Sequence, residues 1–144
     1  MLLGIDLGGT KIEAIVIESK ENSKEVIRHR VNTEEEKGYS QVISNIKSLV
    51  DYIECNINHK FSKLGIGTPG TIDPESGLLK NSNSQCLNGM PIQKDLSKVL
   101  NKSILIQNDA NCFALAETLL GSVKDKHPNA KNVFGIIMGT GVGG

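Results

Sequence analysis

The sequence lacks a net charge, a closely spaced cysteine pair and a long apolar run. Its 144 residues include 16 Lys plus Arg and 16 Asp plus Glu, so the formal net charge is zero. That balance removes the electrostatic case for nucleic acid or an anionic membrane as a partner. No stretch approaches the ~20 apolar residues of a transmembrane helix. Cys55, Cys86 and Cys112 form no CxxC pair, and an odd, scattered set of cysteines predicts reduced thiols in a cytoplasmic protein.

The two ends of the chain carry further expectations. The start has no basic segment followed by a long apolar run, so we expect no signal peptide. The end is a glycine-rich turn directly after the apolar run "VFGIIM". Natural domains seldom stop at such a point, so we expect a fragment whose second half is missing.

Hydrophobic periodicity predicts an α/β domain. Three short apolar runs at the start predict an antiparallel meander, and apolar residues at three- and four-residue steps over 39–57 predict an amphipathic helix. Strands and helices then alternate, which indicates a mixed sheet covered by helices on both faces. The later predicted elements are a strand at 64–67, a turn-rich loop, a helix at 92–100, a strand at 104–106, a helix at 110–120 closed by Gly121, and a strand at 133–138. We expect one domain over residues 1–131, with residues 132–144 beginning the next.

The stretch "GIDLGGTKI" places two glycines, a hydroxyl and a cation at the tip of the first hairpin. Glycines let a backbone approach an anion closely and direct its N–H groups at it. Asp6 ends an otherwise apolar strand, and Mg²⁺ would be a suitable partner for it. The residues alone leave a plain tight turn open. The P-loop is excluded, because its GK[ST] order is absent from this turn.

A second glycine cluster, "GTGVGG", begins at Gly139 and follows a predicted strand. It matches GxGxxG, but no helix or acidic ribose partner follows it, so the dinucleotide-binding signal is weak. Two strand-ending turns of this kind fit better as two sides of one polyphosphate site.

Asp109 lies where a predicted buried strand changes into a helix, within "NDANCFALAE". An acid at this position is commonly an N-cap or first-turn residue that stabilises the helix by about 1 kcal/mol. A catalytic carboxylate is the alternative. By contrast, the acidic run at residues 34–37 is typical of a solvated loop.

Four ordered motifs, "GIDLGGTKI", "GIGTPG", "NDANCFALAE" and "GTGVGG", resemble the ROK family of sugar kinases and related repressors. The resemblance covers the whole chain. It implies the actin-like, hexokinase-like ATPase fold, which is RNase H-like, with ATP and Mg²⁺ as cofactors and a small-molecule sugar as substrate.

The resemblance also implies residue roles. Asp109 would be the catalytic base, and Asp6 would lie near the magnesium. Phosphate contacts would come from the two glycine turns: Gly8, Gly9, Thr10 and Lys11, then Gly139, Thr140 and Gly141. Sugar contacts would come from Gly70, Asn108, Asp109 and an asparagine of "KNSNS", for which we expect Asn83, with Asn81 as the alternative.

The segment "KNSNSQCLNGMPIQKDL" most resembles the fructokinase and mannokinase branch. We therefore expect fructose as the substrate, with kinases of N-acetylglucosamine, N-acetylmannosamine or glucose as alternatives. A tryptophan is frequent near Cys86 in the family, and this chain has none.

A sugar-responsive repressor is the non-enzyme alternative; because Met1 directly precedes the first predicted strand and Asp109 is retained, we expect the enzyme rather than a repressor with a DNA-binding module. The family's zinc site and second sugar-binding segment would lie beyond residue 144, so we expect the fragment alone to be inactive. The resemblance is compatible with a homodimer of the full-length protein.

Overall fold

The computed structural model describes residues 1–138 and 142–143. Contacts within the chain divide it into two compact units, Met1–Gln107 and the residues from Asn108 onward. The expected boundary near Lys131 concerns the domains of the full-length protein and stays a prediction. Within the described part of the chain, no helix is both long and apolar enough to cross a lipid bilayer.

The first unit follows the predicted order of strands and helices. Its main elements are β1 (Leu2–Leu7), β2 (Lys11–Ile17), β3 (Glu25–Asn32), α1 (Tyr39–Ile57), β4 (Lys63–Thr68), β5 (Thr71–Ile72), β6 (Leu79–Lys80), α2 (Ile92–Leu100) and β7 (Ser103–Asn108). Two short 3₁₀ helices, Glu35–Lys37 and Gln85–Leu87, lie in the connections.

Five of these strands form one mixed sheet in the order β3-β2-β1-β4-β7. β1 pairs antiparallel with β2, β2 pairs antiparallel with β3, and β1 pairs parallel with β4. The predicted antiparallel meander at the front of a mixed sheet is therefore confirmed. Parallel pairing of β1 with β4 places the end of β4 beside the end of β1, where the first hairpin begins.

The core lies on one face of this sheet. Burial alternates along β1 and β2 because successive side chains of a strand point to opposite faces. Helix α1 covers the buried face with residues at three- and four-residue steps. Those fully or almost fully buried helix residues are Val42, Ile43, Ile46, Leu49, Val50 and Ile53.

Helix α1 has well-defined ends. It follows Gly38, whose φ of 91° lies in the left-handed region that glycine tolerates. It ends at Asn58, which also adopts the left-handed conformation, with its N–H donating to the Cys55 carbonyl. Near this end, Glu54 accepts hydrogen bonds from Lys60 Nζ (2.9 Å), Lys102 Nζ (2.8 Å) and the Phe61 N–H (2.8 Å). This carboxylate therefore connects the end of α1 to the segment before β4, through Lys60 and Phe61, and to the segment after α2, through Lys102.

The second unit contains α3 (Asp109–Leu119), α4 (Ser122–Lys126) and a short antiparallel pair, β8 (Ile137–Met138) and β9 (Val142–Gly143). Gly121 does not close α3 in a left-handed conformation as expected; its φ is −107°, and it precedes α4. The expected strand at 133–138 is shorter than predicted, because among the described residues only Ile137 and Met138 have a pairing partner.

Candidate active site

The hairpin between β1 and β2 is held by one buried threonine that the sequence did not point to. Thr33, which is 0% exposed, follows β3. Its N–H donates to the Thr10 carbonyl (2.9 Å), and its hydroxyl donates to the Gly8 carbonyl (2.7 Å). Within the hairpin, the Gly8 N–H donates to the Lys11 carbonyl (3.0 Å).

These bonds occupy the carbonyls of Gly8, Thr10 and Lys11 and the N–H of Gly8. Gly9, Thr10 and Lys11 are all exposed. The N–H groups of Gly9 and Thr10 make no hydrogen bond to any residue that the structure describes. Two amides without a bonded partner, a hydroxyl and an ammonium group are thus available at one exposed turn, and the predicted phosphate contact there stays a prediction.

Asp6 is exposed, on the sheet face opposite the core. Strand alternation turns Asp6 away from the core, so its place in an apolar strand carries no burial cost. It lies in register with Glu13 of β2 and Gly67 of β4. Within residues 1–138 and 142–143, no group of three or more His, Cys, Asp or Glu side chains could hold a metal ion. A single carboxylate still fits Mg²⁺, which is commonly bound by one or two carboxylates together with substrate phosphates.

Gly70 lies directly against the asparagine-rich loop. A Cβ at this position would lie 2.8 Å from the Lys80 carbonyl oxygen and 3.2 Å from the Ser82 nitrogen. Only glycine permits this approach without a backbone shift. The loop is further fixed by Asn88, whose side chain bonds to both the N–H and the carbonyl of Ser82 at 2.9 Å.

Both asparagines proposed for sugar binding are exposed. Asn83 lies between the buried Ser82 and Ser84, so its side chain points away from the loop interior. Asn81 has a left-handed φ of 59° and borders an open groove of about 570 Å³ together with Asp73 and Ser82. The choice between Asn83 and Asn81 stays a prediction.

The hairpin and the asparagine-rich loop meet at Gly9. A Cβ on Gly9 would lie 3.4 Å from Ser84 Oγ, 3.7 Å from Glu35 Oε2 and 3.8 Å from Glu35 Oε1. The expectation of a solvated loop at residues 34–37 is therefore wrong for Glu35, which is half-buried in the 3₁₀ helix after β3. Nothing in an acidic run distinguishes the carboxylate that packs against Gly9.

Asn108 and Asp109 begin the second unit. Asn108 is the N-cap of α3, and its Oδ1 accepts from the N–H groups of Ala110 (3.1 Å) and Asn111 (3.3 Å). Asp109 is the first helical residue, half-buried, and its Oδ1 accepts from the Ala110 N–H at 2.7 Å. Capping thus falls to the asparagine, which leaves Asp109 outside the cap position. The remaining expected phosphate contacts, Gly139, Thr140 and Gly141, lie outside the described residues.

Comparisons with known proteins identify the family. Residues 2–144 match the ROK family. The N-acetyl-D-glucosamine kinase of Aliivibrio salmonicida is 38% identical over all of this chain and 45% of its own length. The chain thus spans about half the length of such curated relatives.

Solved structures agree on the fold. A ROK hexokinase from Thermus thermophilus is 31% identical, with a TM-score of 0.68 over 81% of this chain and 37% of that one. A ROK glucokinase from Streptomyces griseus, solved with glucose and AMPPNP, is 22% identical, with a TM-score of 0.72 over 84% of this chain and 37% of that one, and shows the fold alone. The expected actin-like fold is confirmed, and the chain belongs to the ROK family.

Proposed function

We propose that the full-length protein transfers the γ-phosphoryl group of ATP to a hydroxyl of a hexose. The observation that carries this proposal is the hairpin at residues 8–11, where Thr33 holds the Gly8 and Thr10 carbonyls while the Gly9 and Thr10 amides stay unbonded in exposed residues beside the exposed Lys11. An exposed set of donors with a fixed orientation suits a triphosphate, because phosphoryl transfer depends mainly on positioning and charge stabilisation.

N-acetylglucosamine is the first sugar to test. The relatives at 36–38% identity are described as N-acetyl-D-glucosamine kinases. These relatives do not support fructose, the sugar that the asparagine-rich segment led us to expect. Fructose therefore becomes the second candidate. Glucose and N-acetylmannosamine complete the panel.

Different residues of this chain contact the phosphates, the metal ion and the sugar. The Gly9 and Thr10 amides and Lys11 bind phosphate oxygens, and Asp6 would hold Mg²⁺, which when bound neutralises phosphate charge. Gly70, Asn83 and Asn108 contact sugar hydroxyls. Because the Asn108 carboxamide oxygen caps α3, its sugar contact falls to the NH₂ group.

Asp109 accepts the proton of the attacking hydroxyl. A weak base is sufficient, because the transition state is loose and the proton leaves late. Gly139, Thr140 and Gly141 remain the predicted second set of phosphate contacts.

The test uses the full-length protein, ATP and the four sugars, with ADP release as the readout. Asp109→Asn should lower kcat by about 10²–10⁴-fold while the KM for ATP stays within about twofold. Asp125→Asn, in the short helix α4, is the matched control and should behave as wild type. Sugar binding without turnover would instead favour a sensor. Wild-type kcat in Asp109→Asn would refute the assignment of the base.

A further inference from the structure

Glu35 has an unmet hydrogen-bond acceptor. Its Oε2 is buried, and among the described residues no group donates a hydrogen bond to it. No other buried side-chain oxygen or nitrogen in residues 1–138 shares this condition. By contrast, both carboxylate oxygens of the buried Glu54 accept hydrogen bonds.

Leaving a buried carboxylate oxygen without a donor is costly, because the group loses its hydration and gains nothing in return. Glu35 nevertheless packs against Gly9 and Ser84 from a surface segment in which solvent was available to it. The residue next to it, Glu36, remains exposed in the same turn. A buried acceptor kept at such a cost calls for an explanation, and a bound molecule that supplies the donor is one such explanation.

The surroundings of Glu35 define where that donor must be. Both carboxylate oxygens lie against Gly9 at the tip of the phosphate hairpin, beside Ser84 of the asparagine-rich loop. The charge also reaches Cys86 in that loop: burial raises the pKa of the Cys86 thiol, and the negative charge of Glu35 raises it further. Glu35 therefore lies at the junction of the proposed phosphate and sugar sites within the first unit.

The charge of Glu35 decides between the two ligands. A phosphate oxygen is an acceptor and an anion, so it would be repelled by this carboxylate. A sugar hydroxyl is a donor, and the accepting sugar must come within about 3–3.5 Å of the γ-phosphorus for transfer. The region where the hairpin meets the sugar loop is therefore a place for a sugar hydroxyl.

We propose that the Glu35 carboxylate accepts a hydrogen bond from a hydroxyl of the hexose and thereby selects the sugar beside the phosphate hairpin. This inference rests on the proposed function of the two loops. It adds a specificity-determining contact from the segment between β3 and α1, which carries none of the four sequence motifs.

The experiment compares Glu35→Gln with Glu36→Gln in the full-length protein. Glu35→Gln should raise the KM for N-acetylglucosamine, or for whichever panel sugar is turned over, by about tenfold, because a charge-assisted bond becomes a neutral one. The KM for ATP should stay the same or fall slightly, since a negative charge beside the phosphates is removed. A merely structural role would raise both values. Glu36→Gln should change neither.

Single-deoxy analogues of the sugar identify the hydroxyl. Removing the hydroxyl that Glu35 contacts should weaken binding to wild type by about tenfold or more, and should cost Glu35→Gln much less. Calorimetric titration of each analogue measures this, including analogues that cannot be phosphorylated. If every analogue loses the same affinity in both proteins, the carboxylate is satisfied by water and the inference is wrong.

The outcomes separate the two proposals. If the wild-type protein binds sugar but releases no ADP, kinase activity fails, and the titrations still decide the role of Glu35. If it binds none of the four sugars, both proposals fail. Should Glu35→Gln not fold, Glu35→Asp serves instead, because it keeps the negative charge on a side chain that is one methylene group shorter. We expect it to raise the sugar KM by less than the tenfold expected for Glu35→Gln. An unchanged sugar KM in Glu35→Asp would then overturn the inference.

Discussion

Two glutamates lie at opposite ends of helix α1, and their surroundings differ. Glu54, in the last turn, is 3% exposed and accepts hydrogen bonds from two lysines and a backbone N–H. Glu35 precedes the helix, lies against the hairpin and the asparagine-rich loop, and has one oxygen without a donor.

The difference separates a structural carboxylate from one available to a ligand. Every donor to Glu54 comes from the protein itself, so these hydrogen bonds stabilise the packing of α1 against the segments that follow it. The fold leaves Glu35 incomplete at the place where two candidate binding loops meet. Burial alone therefore does not reveal the role of a carboxylate; the source of its donors does.

The largest effect on stability is expected at the Glu54 end. Glu54→Ala leaves the Lys102 ammonium group, whose side chain is 10% exposed, without its carboxylate. It also leaves the Phe61 N–H without an acceptor. The free energy of unfolding should fall by about 3–5 kcal/mol, measured by urea denaturation. Asp51→Asn, which removes the exposed ion pair with Lys47 on the same helix, should cost less than about 1 kcal/mol. Equal losses in both variants would contradict the comparison.

The Glu54 contribution should also depend on pH. Burial alone would raise the pKa of Glu54, but hydrogen bonds from Lys102, Phe61 and Lys60 outweigh it and lower the pKa. A carboxyl with a lowered pKa in the folded state stabilises above its ordinary value of about 4.3, and the contribution is lost as the pH falls below that value. The stability gap between wild type and Glu54→Ala should therefore narrow in acid. A gap unchanged between pH 7 and pH 3 would show that lost packing, not charge, causes it.

The fold could be predicted from the sequence because the patterns that indicate its helices and turns lie within short stretches of the chain. The three- and four-residue steps over α1 and the glycines of the first hairpin are visible in the chain itself, and both features are present. The strand at 133–138 failed because a strand exists only with a partner, and the described residues supply one for Ile137 and Met138 alone.

The site could be predicted only in part, because its supports are non-local. Thr33 acts on Gly8 across 25 positions, and no motif marks the residue after β3 as a clamp. Glu35 is one of three consecutive glutamates, and which of them packs against Gly9 depends on where Gly9 and Ser84 lie. The motifs therefore indicate the loops that bind, and the structure adds the residues that hold them.

A smaller effect is expected where the asparagine-rich loop packs on Gly70. In Gly70→Ala the new methyl group would lie 2.8 Å from the Lys80 carbonyl oxygen, so the loop beside Glu35 must shift. We expect a loss of about 1–3 kcal/mol in the free energy of unfolding together with weaker sugar binding. Gly65→Ala in β4 is the matched control, since a Cβ there meets no described atom within 4 Å. A loss in Gly65→Ala equal to that in Gly70→Ala would mean that glycine replacement, not the close approach, weakens the protein.

The smallest effect on stability, with a clear effect on function, is expected at Thr33. Thr33→Val keeps the shape and the N–H bond to Thr10 but removes the hydroxyl that donates to the Gly8 carbonyl. The loss should be about 1 kcal/mol, because the Gly8 carbonyl lies beside an exposed turn and can turn toward solvent. Once it turns, the amides of the hairpin lose their common orientation, so the KM for ATP should rise several-fold while the sugar affinity changes little. Thr33→Ser should restore the ATP value, because it restores the hydroxyl. If Thr33→Val weakens sugar and ATP binding equally, the threonine supports the whole first unit rather than the phosphate hairpin alone. The residues just before α1 would then have a structural role, as Glu54 has at the other end of the helix.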